Sequence, residues 1–166
     1  MNTLDALKLR RSIRVFQDKE IPKKALEDLI DVARFAPTAR NVQPWEFVLI
    51  INSQTLKKIG ELAENARFMV SAKACIAVFC ADTKYYLEDG CSATVNILNA
   101  ATDFGIGSCW VAGDKKPYCE EISGLLGVPA GLKLVSLIAL GYPEDKNCFK
   151  LADKRSLKEV THWEKF

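Results

Sequence analysis

Three features of the sequence predict a layered domain of mixed α and β structure. Apolar runs of strand length, EFVLIIN (46–52), ACIAVFC (74–80) and LKLVSLIALG (132–141), are too short for buried helices. Between them lie segments in which apolar residues recur at helical spacing. The two kinds alternate along the chain, the pattern of an α/β or α+β domain with helices packed on a sheet. No repeat, low-complexity block or long linker interrupts it. The expected organisation is a single domain spanning 1–166, with 144–166 as a polar C-terminal tail.

The elements follow in order. A short helix is expected over Thr3 to Leu9, with Leu4 and Leu7 on one face. Pro22 suits a first helical turn, and Leu26, Leu29, Ile30 and Ala33 continue that helix until Pro37 ends it. The first strand comes next, then a helix from Gln54 to Asn65 that turns Leu56, Ile59 and Leu62 inward. After the second strand, a long helix rich in small residues runs from about Glu88 to Phe104 and stops at Gly105. A short strand over 107–112, a helix over Cys119 to Leu126 and the strand 132–141 complete the body. The tail carries Phe149, Leu151, Leu157, Val160, Trp163 and Phe166 among polar residues, so it is expected to cover a surface of its own chain or of a partner.

Composition narrows the class. Of 166 residues, 49% are apolar and 27% charged, an ordinary globular balance, and a net charge of +2 is too small for wholesale nucleic-acid binding. No apolar run reaches the ~18 residues of a membrane span, and MNTLDALKLRR lacks the apolar core of a signal peptide. A cytoplasmic protein without membrane attachment is expected. Its six cysteines form no C-x-x-C pair and no zinc-knuckle spacing. They read as reduced thiols, most of them packing as small core residues.

Familiar catalytic constellations are absent: there is no phosphate-binding GKS/T loop, no G-x-S-x-G elbow and no H-E-x-x-H. The single histidine, His162, stands in the tail without a carboxylate pattern around it. Hard chemistry, if present, must come with a cofactor. Three segments have the character of binding elements. Arg10-Arg11-Ser12-Ile13-Arg14 offers guanidinium forks and a hydroxyl, the donors a phosphate monoester takes, although a basic patch at a helix C-terminus is the plainer account. Ala36 to Trp45 places Thr38, Arg40, Asn41 and Gln43 between two prolines. Gly105 to Gly113 holds three glycines, which permit close approach of a planar ligand. Its helix-then-strand order is the reverse of a dinucleotide fingerprint.

Taken together, RRSIRVF (10–16), APTARNVQPWEF (36–47), GIGSCWVAG (105–113) and the tail stretch KRSLKEVTHWE (154–164) resemble the nitroreductase family of FMN-dependent oxidoreductases, in its order and at roughly its spacing. The resemblance covers nearly the whole chain. It implies an α+β fold of three layers, α/β/α, with a central, mostly antiparallel sheet, and a homodimer with exchanged C-terminal arms. It implies that FMN is held by Arg10 and Ser12 toward the phosphate and ribityl chain, with Arg11 in the same run and Arg14 at the flavin N1/O2 edge. Pro37, Thr38, Ala39 and Asn41 match further flavin contacts, some reaching from the other subunit. Backbone amides near Ala112 and Gly113 match those facing flavin N5, and Lys154 and Arg155 match a basic pair that returns to the phosphate.

The implied activity is hydride transfer from NADH or NADPH to flavin N5, then to an electron-poor small molecule such as a nitroaromatic or a quinone, by a ping-pong mechanism. No side-chain acid or base is needed for that transfer, and neither a metal nor nucleic acid is called for. Two departures from the family stand out. Only residues 81–87 separate the second strand run from the long helix, where longer relatives insert helices that roof the flavin. Ala39 also replaces a hydroxyl residue common at that position. A protein that stores or senses FMN with little turnover would use the same binding residues.

Overall fold

The computed structural model describes residues 1–166. Helix α1 (Thr3–Leu9) is capped by Asn2, whose side chain accepts the Asp5 amide, and α2 (Lys23–Ala33) follows. Strand β1 (Trp45–Ile50) leads into α3 (Ser53–Leu62), capped by Asn52 through the Thr55 amide. A 3-10 stretch, Glu64–Ser71, enters β2 (Ala74–Ala81), and α4 (Tyr86–Asp103) follows directly. Then come β3 (Gly107–Ala112), α5 (Cys119–Leu126), β4 (Leu132–Gly141) and a single exposed turn, α6 (Leu157–Val160).

The four strands lie in the order β1-β2-β4-β3, and every neighbouring pair is antiparallel. Period-two alternation sends successive side chains to opposite faces. Ile76, Val78, Ile138 and Leu140 meet α2 and α4 on one face, through Leu29, Ala93 and Ile97. Cys75, Ala77, Phe79, Leu137 and Ala139 meet α3 and α5 on the other, through Leu56, Ile59 and Ile122. The result is the expected three layers, α/β/α.

Small residues on α4 let its backbone approach the sheet closely. A Cβ at Gly90 would stand 2.7 Å from a Val135 methyl and 2.9 Å from the Cys80 sulfur. The helix ends as the glycine signal predicts. Gly105 takes φ +69°, its N–H reaches Thr102 O at 3.0 Å, and the Ile106 N–H reaches Ala101 O at 2.8 Å. That pairing closes the last turn. The six cysteines carry free thiols. No helix is long and apolar enough to cross a membrane.

Residues beyond Phe149 make no such core. Leu151 is 71% exposed, Leu157 78% and Trp163 89%, and Phe166 is fully exposed. His162 stacks on Phe166 with ring centroids 3.9 Å apart, within the arm itself. A second apolar surface lies across α1, α2 and α4, where Leu4, Leu7, Val32, Phe35 and Val95 are all exposed. Leu4 and Leu7 do share one face of α1, but the residue that α1 buries is Ala6.

Candidate functional site

The basic N-terminal segment is fixed against the free edge of β3. Ser12 bridges Ser108 in parallel, and the Ile13 N–H reaches Ser108 O at 2.9 Å. Beyond it, Phe16 bridges Pro143, and Gln17 donates to Tyr142 O at 2.8 Å and, through its side chain, to Pro143 O at 2.7 Å. An open cleft of about 490 Å³ lies along Ser12 to Val15 and Pro143 to Asp145. Arg10, Ser12 and Arg14 gather around Cys109. Burial raises that thiol's pKa, and the two guanidiniums and the Ser12 hydroxyl pull it back only in part. Cys109 is therefore a protonated packing group at neutral pH.

None of the chain's ion pairs uses Arg10, Arg11 or Arg14. Arg14 instead lies over the Phe68 ring, 5.7 Å from its centroid, a contact that orients the guanidinium without neutralising it. Arg11 behaves differently. Its guanidinium turns back onto the carbonyls of Arg10 and Lys8, the latter at 3.3 Å. It caps the C-terminus of α1, so the plain helix-end account applies to this member of the run.

The same edge carries a free amide. Gly113 donates its N–H to Val135 O at 3.0 Å, which makes Gly113 and Val135 a hydrogen-bonded pair of the ladder. Antiparallel pairs alternate, so the preceding residue, Ala112, points its N–H away from β4 toward the open edge. This corrects the expectation for Gly113, whose amide is spent inside the sheet. Its part is close packing, since a Cβ there would stand 2.6 Å from Leu134 O. Gly113→Ala should lower unfolding stability by about 3 kcal/mol, because backbone rather than a movable side chain is in the way. An unchanged urea midpoint would show that the strand end repacks freely.

The second candidate segment lies elsewhere. Ser12 sits level with Ser108, Leu140 and Ala74, whereas the loop after Pro37 joins the sheet at Trp45, level with Cys80 and Lys133. Six residues of β2 separate these levels, about 20 Å, and the segments flank opposite edges, about 14 Å apart. Within one chain Arg10 to Arg14 and Thr38 to Asn41 occupy diagonal corners of the sheet and do not converge. Lys154 and Arg155 sit on the exposed arm. Arg155 donates to Glu159 O at 2.7 Å, and both residues are exposed.

The loop's own geometry is unusual. Arg40, Asn41 and Gln43 hold φ of 56°, 55° and 51°, a left-handed conformation that disfavours residues other than glycine and, to a lesser degree, asparagine. The Thr38 hydroxyl donates to Asp89 Oδ2 at 2.7 Å and accepts the Gln43 N–H at 3.1 Å, so it is committed within the loop. Of the polar positions expected to contact a ligand from this loop, Thr38 is half-buried and Asn41 retains an exposed side chain. Sequence reasoning missed Asp89. The signal was present: Asp89, Ala93, Ile97 and Ala101 recur every four residues, which places an acid on the buried stripe of α4.

A larger cavity, about 670 Å³, opens between α5 and the start of β4. Some of its polar side chains are already paired. Tyr86 donates to Asp114 at 2.6 Å, which pushes the phenol up to about 12, and Lys133 pairs with Asp82 at 2.7 Å. The β3 edge, with its unpaired cations and free amide, is the stronger candidate.

Residues 7–79 match the nitroreductase family. An Archaeoglobus fulgidus protein, provisionally named an NADH dehydrogenase/NAD(P)H nitroreductase, is 36% identical over 165 residues, covering 95% of this chain and 94% of the relative. The chain belongs to the nitroreductase family. It is accordingly an oxidoreductase. The crystal structure of a Parabacteroides distasonis protein of the same provisional name superposes with TM-score 0.92 at 25% identity, covering all of both chains. An FMN-dependent nitroreductase of Clostridium difficile R20291 gives 0.89 at 24% identity, over 98% of this chain and 99% of that one, and shows the shared fold.

Against this nitroreductase fold, the donor set at the β3 edge suits a flavin mononucleotide. A phosphate dianion needs cations not already neutralised, and Arg10 and Arg14 are such groups. An electron-rich ring nitrogen needs a preset donor, and the Ala112 N–H has no partner in the chain. The connection from β2 to α4, Asp82 to Tyr85, contains no helix.

Proposed function

We propose that the protein is an FMN-dependent oxidoreductase that works as a homodimer. It takes electrons from NADH or NADPH and passes them, in a ping-pong cycle, to an electron-poor acceptor of nitroaromatic or quinone type. The observation that carries this reading is the β3 edge, where unpaired guanidiniums and an unpaired backbone amide line one strand. The names of the relatives, NAD(P)H nitroreductase and FMN-dependent nitroreductase, support it. When bound, FMN supplies the hydride chemistry at N5.

The chain's residues supply binding, orientation and charge. Arg10 and the Ser12 hydroxyl hold the phosphate and ribityl chain. Arg14, steadied by Phe68, sets a positive charge beside the N1/O2 edge, where negative charge accumulates on reduction. Ala112 would offer its N–H to N5, from a peptide fixed in the ladder and needing no reorganisation. Because the Pro37 to Asn41 segment lies at the far corner of its own sheet, it serves the site of the partner subunit. The exposed arm wraps the partner and brings Lys154 and Arg155 to a phosphate.

The visible absorption spectrum of the purified protein, taken anaerobically with NADH and then NADPH, tests the reading. A flavin band that bleaches is expected. A band surviving both nucleotides would overturn the oxidoreductase half and leave FMN storage. A colourless protein that takes up no added FMN would overturn the whole.

A further inference from the structure

Asp89 is the only charged side chain buried in the protein, 4% exposed on the first turns of α4. Both of its carboxylate oxygens are used. Oδ2 accepts the Thr38 hydroxyl at 2.7 Å and Oδ1 accepts the Ala39 N–H at 3.2 Å, across about fifty residues of chain. The positive end of α4 makes this burial tolerable. Thr38 passes the restraint on, since its Oγ1 receives the Gln43 N–H at 3.1 Å. Between Thr38 and Gln43 lie Arg40 and Asn41, and all but Val42 of residues 40–43 hold positive φ. A segment with three non-glycine residues in that region relaxes unless something holds both its ends. The Asp89–Thr38–Gln43 relay does so.

We propose that Asp89 is a positioning residue for flavin binding: by latching Thr38 and Ala39 it presets the strained 38–43 loop, so that Asn41 is presented to the FMN site of the partner subunit. This rests on the FMN reading above. Asp89 acts through the loop and touches no ligand itself. A buried carboxylate suits this work better than a neutral amide, because it accepts from two donors at once and strengthens both bonds.

Two substitutions break the latch with little change in volume. Asp89→Asn keeps one acceptor for Ala39 but turns toward Thr38 an amide that cannot accept its proton. Thr38→Val removes the hydroxyl from a half-buried loop, and so carries the test even if Asp89→Asn folds poorly. FMN dissociation constants are read from quenching of flavin fluorescence in the full-length protein. Each variant should raise the constant about tenfold, and the double variant should raise it no further than the larger single one, because Thr38→Val already loses both the bond to Asp89 and the acceptor of the Gln43 N–H.

Mixed dimers separate positioning from general stability. With Arg10→Ala in one subunit and Asp89→Asn in the other, one site keeps both a native Arg10 and a native loop, while its twin loses both. Half the sites should then bind FMN with wild-type affinity. Asp89→Asn and Thr38→Val constants within about twofold of wild type, where Arg10→Ala weakens binding clearly, would overturn the inference. So would a mixed dimer with a single weakened class of sites. A wild-type protein that takes up no FMN, or an Arg10→Ala protein that binds it as wild type does, would overturn the FMN reading instead.

Discussion

Removal of residues 149–166 is expected to turn a dimer into monomers that no longer retain FMN. The reason is the amount of apolar surface the arm displays. Leu151, Leu157, Trp163 and Phe166 all stand more than two-thirds exposed, and the single turn of α6 has no packing of its own. Burying a large apolar side chain is worth about 1.5–3 kcal/mol, so four of them offer about 6–12 kcal/mol per arm before ordering costs. Trp163→Ala alone should loosen the dimer by about 2 kcal/mol, as aromatic anchors of interfaces do. Light scattering behind a sizing column, with flavin content read in each peak, gives the result. A full-length chain that runs as a monomer, or a truncated one that stays dimeric and yellow, would remove the exchanged arm from the account.

Arg10→Ala should weaken FMN binding by about 2–3 kcal/mol, or about 30- to 150-fold, the cost of losing a charged fork from a phosphate. Stability without cofactor should change by no more than about 0.5 kcal/mol, since Arg10 forms no ion pair in the chain. The affinity that remains should depend less steeply on salt, because one screened attraction has been removed. Titration of the apoprotein at two ionic strengths measures both effects. Equal constants for variant and wild type would take Arg10 out of the phosphate site.

Much of the fold was legible because its local signals agree. The apolar run at 132–141 is β4 from end to end, and Gly105 closes α4 in the left-handed conformation its position announces. The 3-10 stretch at Glu64–Ser71 was not legible, since it has no steady period and its Ala66 leaves helical geometry. That mattered, because it carries Phe68, the ring on which Arg14 rests. Arg10, Arg11 and Arg14 looked equivalent as residue types. Only the course of the backbone turns Arg11 onto the end of α1 while the other two stay unpaired.

The order of the main helices and strands and the family were determined by the sequence alone, since the elements rest on residue type and spacing within one segment and the family on four motifs in a fixed order. Tertiary structure decided what depends on pairing between segments. Whether Ala112 or Gly113 presents a free amide turns on which of them meets β4 in a hydrogen-bonded pair, and no local pattern states that register. The distance between Arg10 and Thr38 follows from the strand order β1-β2-β4-β3, which sets them at opposite corners. Asp89 could be placed on a buried face by counting residues. Its partners, about fifty residues earlier, became visible only once α4 and the Thr38 loop were packed together.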